Sequence, residues 1–124
     1  MSGSLSKTPI RINVAGLGEA KGELVRFYAP LTVETLLRRL PLRGRAHPCS
    51  GGYSFIVGIK RGEEKSIREV EAGTIAYWPM GDALSLYHSD TLTYSPVNRV
   101  GRVTENLELI GRITSGASIR IEKL

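Results

Sequence analysis

Glutamine is absent from this 124-residue chain, cysteine and tryptophan occur once each, and histidine occurs only as His47 and His88. A single Cys49 excludes an internal disulfide and any metal site built from several cysteines. A zinc site would have to draw on both histidines and Cys49, and their spacing fits no zinc motif; a turn with an incidental histidine and a small apolar cysteine is the simpler reading. No metal and no cofactor are expected. No apolar run approaches the roughly 18 residues needed to cross a bilayer. Met1 to Thr8 is small and polar, without the apolar core of an export signal, so no membrane association and a cytoplasmic location are expected. Asparagine is confined to Asn13, Asn98 and Asn106, while arginine and glutamate abound, a composition that hints at a thermophilic source.

Catalytic signatures are also missing. No serine sits in a Gly-x-Ser-x-Gly elbow. Gly16, Gly18 and Gly22 are spaced one residue too long for the dinucleotide fingerprint, and strand rather than helix should follow them. A Cys49–His nucleophilic pair would need both groups within hydrogen-bond reach, which only a fold can arrange. Glu63, Glu64, Glu69 and Glu71 read as a solvated charge run.

What is present is short-period alternation. Ile10, Ile12 and Val14 alternate with polar residues, as a half-buried strand does. Gly22 to Ala29, Arg43 to Pro48, Tyr53 to Ile59, Thr74 to Trp78, Ala83 to His88, Val97 to Val103 and Ala117 to Glu122 give further strands. Val33, Leu36, Leu37 and Leu40 form one apolar stripe of a short helix that Thr32 can cap and Pro41 stops. Thr104 is placed to cap a second helix carrying Leu107, Ile110 and Ile113. Trp78-Pro79-Met80-Gly81 suits a type I turn, with proline second and glycine fourth. Some eight short strands with two helices suggest a barrel, because closure removes exposed sheet edges.

The net charge of +5 is uneven. Residues 1–68 hold twelve Lys/Arg against five Asp/Glu, a net +7, and residues 69–124 hold five against seven, a net −2. A basic half attracts acidic partners, although a solvated surface explains it as well. Tyr53 and Phe55 share a strand face downstream of Arg43 and Arg45, but the eight aromatics of the chain are too few for a base-stacking platform, so nucleic acid is not the expected partner. Trp78 either plugs one end of the barrel or serves a binding surface.

Two segments carry a resemblance. Ala76-Tyr77-Trp78-Pro79-Met80-Gly81-Asp82-Ala83-Leu84-Ser85-Leu86-Tyr87 and Pro96-Val97-Asn98-Arg99-Val100-Gly101-Arg102-Val103 resemble the "YWP-x-G-x-AL" turn and "VN-x-x-G" strand of small prokaryotic cyclophilin-like proteins. The order of elements is similar from about residue 9 onward. Val100 to Leu107 also resembles the segment that leads true cyclophilins into their last helix and strand. Arg45-Ala46-His47-Pro48-Cys49-Ser50-Gly51-Gly52 resembles, in shortened form, the stretch holding their catalytic arginine, and Arg45 would correspond to it. The rest of the isomerase machinery departs. Ser50 stands in place of the glutamine, Val97 in place of the histidine, and the pocket phenylalanine is deleted. An arginine without its pocket and orienting partners should lose most of the preorganised electrostatics that such catalysis needs.

The resulting expectation is a mainly β domain over residues 9–124, a closed eight-stranded cyclophilin-like barrel with two short helices, preceded by a loose tail over 1–8. Its expected role is a non-catalytic binding module for an extended peptide or a small anionic ligand. Arg45, Tyr53, Phe55, Tyr87 and His88 would line a shallow groove, the aromatics supplying area and Arg45 holding a carbonyl or carboxylate. Two alternatives stand beside it: a weak prolyl cis–trans isomerase using Arg45, and an oligomeric or complex-forming subunit using Trp78 or the basic half as its contact.

Overall fold

The computed structural model describes residues 6–124. In chain order the elements are β1 (Lys7–Val14), β2 (Gly18–Val25), a 3-10 turn (Arg26–Tyr28), α1 (Pro30–Arg39), β3 (Leu42–Arg45), β4 (His47–Cys49), β5 (Gly52–Ile56), β6 (Ile67–Val70), β7 (Thr74–Trp78), β8 (Ala83–Tyr87), β9 (Thr91–Glu105), α2 (Leu107–Gly111) and β10 (Ser118–Lys123). Residues 1–5 of the expected tail lie outside the described residues, whereas Lys7 and Thr8 already pair with Val25 and Leu24 of β2.

The described residues are mainly β with two short helices, as the alternation predicts, but they form ten strands rather than eight. Their hydrogen-bonded order is β3-β10-β1-β2-β9-β7-β8-β5-β4, with β6 paired to β9 off this path. The path ends on β3 at one margin and on β4 at the other, so the ladder is open. The two margins are nevertheless consecutive in sequence. Ala46 alone separates β3 from β4, and it is fully buried, donating to the Ala117 carbonyl and accepting from the Gly116 N–H. One bent segment therefore pairs with β10 before the bend and with β5 after it. Pro48, which has no N–H to give, sits on the margin strand where none is required.

The inner face of the sheet buries Ile10, Ile12, Leu24, Phe55, Leu84, Leu86, Ile119 and Ile121. Across the gap between the margins, the Phe55 ring lies against Gly44, where a Cβ would come within 2.8 Å of it. Apolar packing thus spans the gap that hydrogen bonds leave. Val33 and Leu36 of α1, and Leu109 and Ile110 of α2, add their buried faces to the same core. Packing of these stripes holds helices too short to stand alone.

Several local expectations shift. Pro30 opens α1 at its first turn instead of merely ending β2, because its missing N–H and fixed φ suit that position. Thr32 is not the cap but lies inside the helix, fully buried. The cap comes from a distant acid. Glu64 accepts from the N–H groups of Leu31 (2.9 Å) and Thr32 (2.8 Å) and from the Thr32 hydroxyl (2.7 Å). The positive end of the helix favours a carboxylate there, so this member of the acidic run is structural rather than solvated. Thr104 remains in β9, and Asn106, in the left-handed region at φ 63°, precedes α2. The tight turn runs one residue later than expected, with Asp82 N–H donating to the Pro79 carbonyl (3.2 Å).

The segments that carry the family resemblance also pin the long connection between β5 and β6. Asp82 accepts from the N–H groups of Ile59 (3.0 Å) and Lys60 (2.9 Å) and from the Tyr77 hydroxyl (2.6 Å), and that hydroxyl accepts from the Arg61 N–H. Asn98, fully buried, accepts from the Glu64 N–H and donates to the Gly62 carbonyl and the Thr32 hydroxyl. Burial works against the Asp82 charge, yet the bonds from Tyr77, Lys60 and Ile59 outweigh it and hold the carboxyl below its ordinary range. Burial, aided by Asp82, pushes the Tyr77 hydroxyl up to about 12.

Candidate functional site

A depression lies at each margin of the sheet. The first lies on the outer face of β5 and β8. Side chains alternate along these strands, so Leu84 and Leu86 point into the core while Ala83, Ser85 and Tyr87 point outward. The register places His47, Ser54 and Ser85 in one cross-strand row and Cys49, Gly52 and Tyr87 in the next. Outward groups would ordinarily be solvated, but here the first half of β9 and its partner β6 lie over part of this face. Val70 of β6 and Val97 of β9 pack on Ala76 and Tyr87, with Trp78 and Cys49 at the margin, as a small second core. Arg68 holds this arm by donating from Nε and Nη2 to the Thr93 carbonyl (3.2 and 2.9 Å).

Between the arm and β4 remains a groove of about 320 Å³. Ser54, Ser85 and Tyr87 lie in its floor, Trp78 and Tyr94 in its walls, and His47 at its rim. Ser54, Ser85 and Thr93 are buried. The Trp78 indole N–H donates to the Ser95 hydroxyl, which ties the wall to the arm. Burial pushes the Cys49 thiol up, and hydrogen bonds with Ser85 and Ser54 only partly offset it. Burial likewise pushes the Tyr87 hydroxyl up to about 12. The groove therefore presents neutral hydrogen-bonding groups in apolar surroundings.

The second depression is a broader cleft of about 770 Å³ at the opposite margin, formed by β3, β10, the end of β1 and the turn after it. Arg43, Arg45 and Arg120 line it beside Asn13, Ser118 and glycine backbone.

The five residues expected to share one groove are separated. Tyr87 lines the hydroxyl groove. Arg45 lines the other cleft and donates to the Gly116 carbonyl (3.2 Å). Phe55 is fully buried in the main core, and Tyr53 packs partly buried against that core. His88 sits beside Gly111 of α2, with Nδ1 hydrogen-bonded to the Ser89 hydroxyl (3.0 Å). The separation follows from the two-residue period of β5, which sends Tyr53 and Phe55 inward and Ser54 outward. Trp78 does not plug the main core but stands on the outer face, over Gly81, where an added Cβ would collide with the indole. The run resembling the cyclophilin arginine stretch is divided by the bend at Ala46, with Arg45 in one depression and His47 to Ser50 in the other.

Ser54, Ser85, Thr93, Tyr94 and Ser95 were not singled out by sequence reasoning. The visible signal was the alternation that put Ser85 and Tyr87 on one face of β8. The covering arm, which makes that face a groove, depends on pairing between β6 and β9. Among the described residues no group of three or more His, Cys, Asp or Glu is placed to hold a metal, and no helix is long and apolar enough to cross a membrane.

Comparison with known proteins agrees with this architecture. A hypothetical protein from Archaeoglobus fulgidus, AF2241, solved in solution, is 26% identical and superposes with a TM-score of 0.81, each chain being covered in full. McbB, solved in complex with tryptophan, is 17% identical with a TM-score of 0.75; the match covers 92% of this chain and 44% of McbB. Among curated proteins nothing matches. The Cyclophilin-like family model matches residues 8–122, and the chain belongs to that family.

Proposed function

We propose that this protein is a non-catalytic binding module whose site is the groove between β4 and the β9 arm. Its ligand is a small molecule, or a short extended peptide, with a flat apolar body and neutral hydrogen-bonding groups. The observation that carries this reading is the convergence of buried hydroxyls, Ser54, Ser85 and Tyr87, in a depression walled by Trp78 and Tyr94. Binding sites commonly combine an apolar lining with a few placed polar groups, and about 320 Å³ lies at the small end of their range. A fold relative, McbB, takes tryptophan, a ligand with a flat apolar body. The bent segment through Ala46 and the Phe55–Gly44 packing would complete the sheet as a barrel and give the groove a rigid floor.

The chemistry around the groove favours binding over turnover. The partners of the Cys49 thiol are serines and the Gly52 backbone, none of them a base, and a thiol raised by burial is a poor nucleophile. Arg45, on which a prolyl isomerase would depend, lies in the other cleft, apart from the groove aromatics.

Trp78 is the sole tryptophan, so its emission reports directly on the groove wall. Titration with an amino-acid and peptide panel should give a saturable emission change for aromatic members, with amide shifts at Ser54, Ser85 and Thr93. Tyr94, 84% exposed, should matter for binding and little for folding, so Tyr94→Ala should weaken the ligand about fivefold or more through loss of an aromatic wall. Shifts clustering elsewhere, or none with any panel member, would refute the assignment.

A further inference from the structure

We infer that the cleft at the β3–β10 margin is a second binding site, specific for a small phosphorylated ligand. The starting point is a pairing that stability alone does not favour. Arg43 and Arg120 are directly opposed across the antiparallel β3–β10 ladder, so their side chains leave the same face. Like charges directly opposite one another are destabilising. The next residue in the row, Asn13 opposite Arg120 on β1, brings no negative charge. Arg45 extends the same face two residues along β3.

The nearby acid does not neutralise the three guanidinium groups. Glu122 pairs with Arg120 at 3.0 Å and with Arg11 at 3.1 Å, and Glu19 also reaches Arg11 at 3.4 Å, so these two acids are matched by Arg120 and Arg11 and neither is left for Arg43 or Arg45. Among the described residues Arg43 has no side-chain partner. Arg45 spends one Nη1 donor on the Gly116 carbonyl, which orients the group and leaves its other donors free. Among the described residues no acidic side chain lines the cleft.

An excess of two positive charges on planar, bidentate donors matches a phosphate monoester, which carries about −1.5 to −2 at neutral pH and offers three acceptor oxygens. Gly16, with open space beside it, leaves bare backbone at the cleft. Room of about 770 Å³ suffices for the organic part of a nucleotide- or sugar-phosphate-sized molecule. The expected occupant is thus a free phosphorylated metabolite, at a place distinct from the hydroxyl groove.

The test uses the full chain labelled with 15N and titrated with sodium pyrophosphate and with 5′-AMP, against sodium chloride at matched ionic strength. Saturable shifts are expected at Gly16, Gly18, Gly44 and Ser118, with Trp78 emission unchanged. Arg43→Glu replaces the like-charge pair by an ion pair, so it should fold and melt no lower than wild type, yet bind about tenfold or more weakly. Arg43→Ala should fall between the two. Shifts that do not saturate and spread over all basic positions, or affinity unchanged in Arg43→Glu, would overturn the inference. Binding of a single-stranded oligonucleotide without binding of pyrophosphate or 5′-AMP would overturn it too. Failure here leaves the groove untouched, since that site is read separately through Trp78.

Discussion

The margin that carries Arg43 and the margin that carries Cys49 belong to one bent segment, yet they present opposite chemistries. On the β3 side long arginine side chains stand on an uncovered face, charged and in reach of water. On the β4 side short hydroxyls lie under the β9 arm, neutral and mostly dry. The two sites differ through what lies above the sheet, since their backbones are both antiparallel strand. A charged group keeps its hydration where nothing covers it, and burial beneath the arm would cost several kcal/mol for an unpaired ion. The covered face can therefore accept serine, threonine and tyrosine but not free arginine, and the ligand classes proposed for the two sites divide accordingly.

The strongest way to break this comparison is to remove what joins the margins. Phe55→Ala takes a fully buried ring off Gly44 and should cost about 3–5 kcal/mol, measured by urea unfolding, with both sites lost together. Gly44→Ala attacks the same contact from the other side, forcing a Cβ against the ring, and should cost about 1–3 kcal/mol. A cost below roughly 1 kcal/mol for both would show that the sheet holds without this packing.

Next in size is the polar network over the β5–β6 connection. Asn98→Ala leaves the Glu64 N–H and the Gly62 carbonyl without their partner, removes one of the two bonds at the Thr32 hydroxyl, and should cost about 1–3 kcal/mol. The same region predicts acid sensitivity. Glu64 and Asp82 both titrate below their ordinary values in the folded protein, because hydrogen bonds to the charged carboxylates outweigh burial. The unfolded chain then binds more protons across that window, so stability is full above about pH 4.5 and falls as pH drops further. Tyr77 and Tyr87 give the opposite sign. Raised to about 12 in the folded state, they contribute stability that is full below about pH 10 and lost as pH rises toward 12. Circular dichroism melts across pH 2–12 check both limbs, and a flat profile below pH 4 would refute the role given to the two carboxylates.

The smallest effect concerns the arginine row. Arg43→Glu should raise stability by about 0.2–1 kcal/mol through an opposed charge pair, an increase that 1 M salt should largely erase. A loss of stability would mean that the like-charge opposition is already relieved in the native protein.

The alternation of Ile10-Ile12-Val14, of Leu84-Leu86 and of Ile119-Ile121 made the strands legible, because facing a core leaves a period of two in the chain itself. The stripe Val33-Leu36-Leu37-Leu40 marked α1 in the same way. The caps were less legible: Thr32 has the composition of a cap, but Glu64, 32 residues away, performs the task. Candidate site residues fared worst. Phe55 has the aromatic character of a groove residue, but its inward place in β5 puts it in the core. Ser54 and Ser85 carried no signal of recognition, because a serine on the outer face of a strand is ordinarily a solvated residue.

The amino-acid order by itself determined most of the strands and the inward positions of β1, β8 and β10, together with the family and the exclusion of an internal disulfide. Each of these depends on neighbours a few positions away or on counting residue types. Only the tertiary structure decided that the sheet path stays open at Ala46, that β9 crosses over β5 and β8, and that Arg45 parts company with Tyr87. Those outcomes rest on strand pairings between distant segments, whose register is set by the packing of the whole sheet rather than by any local pattern.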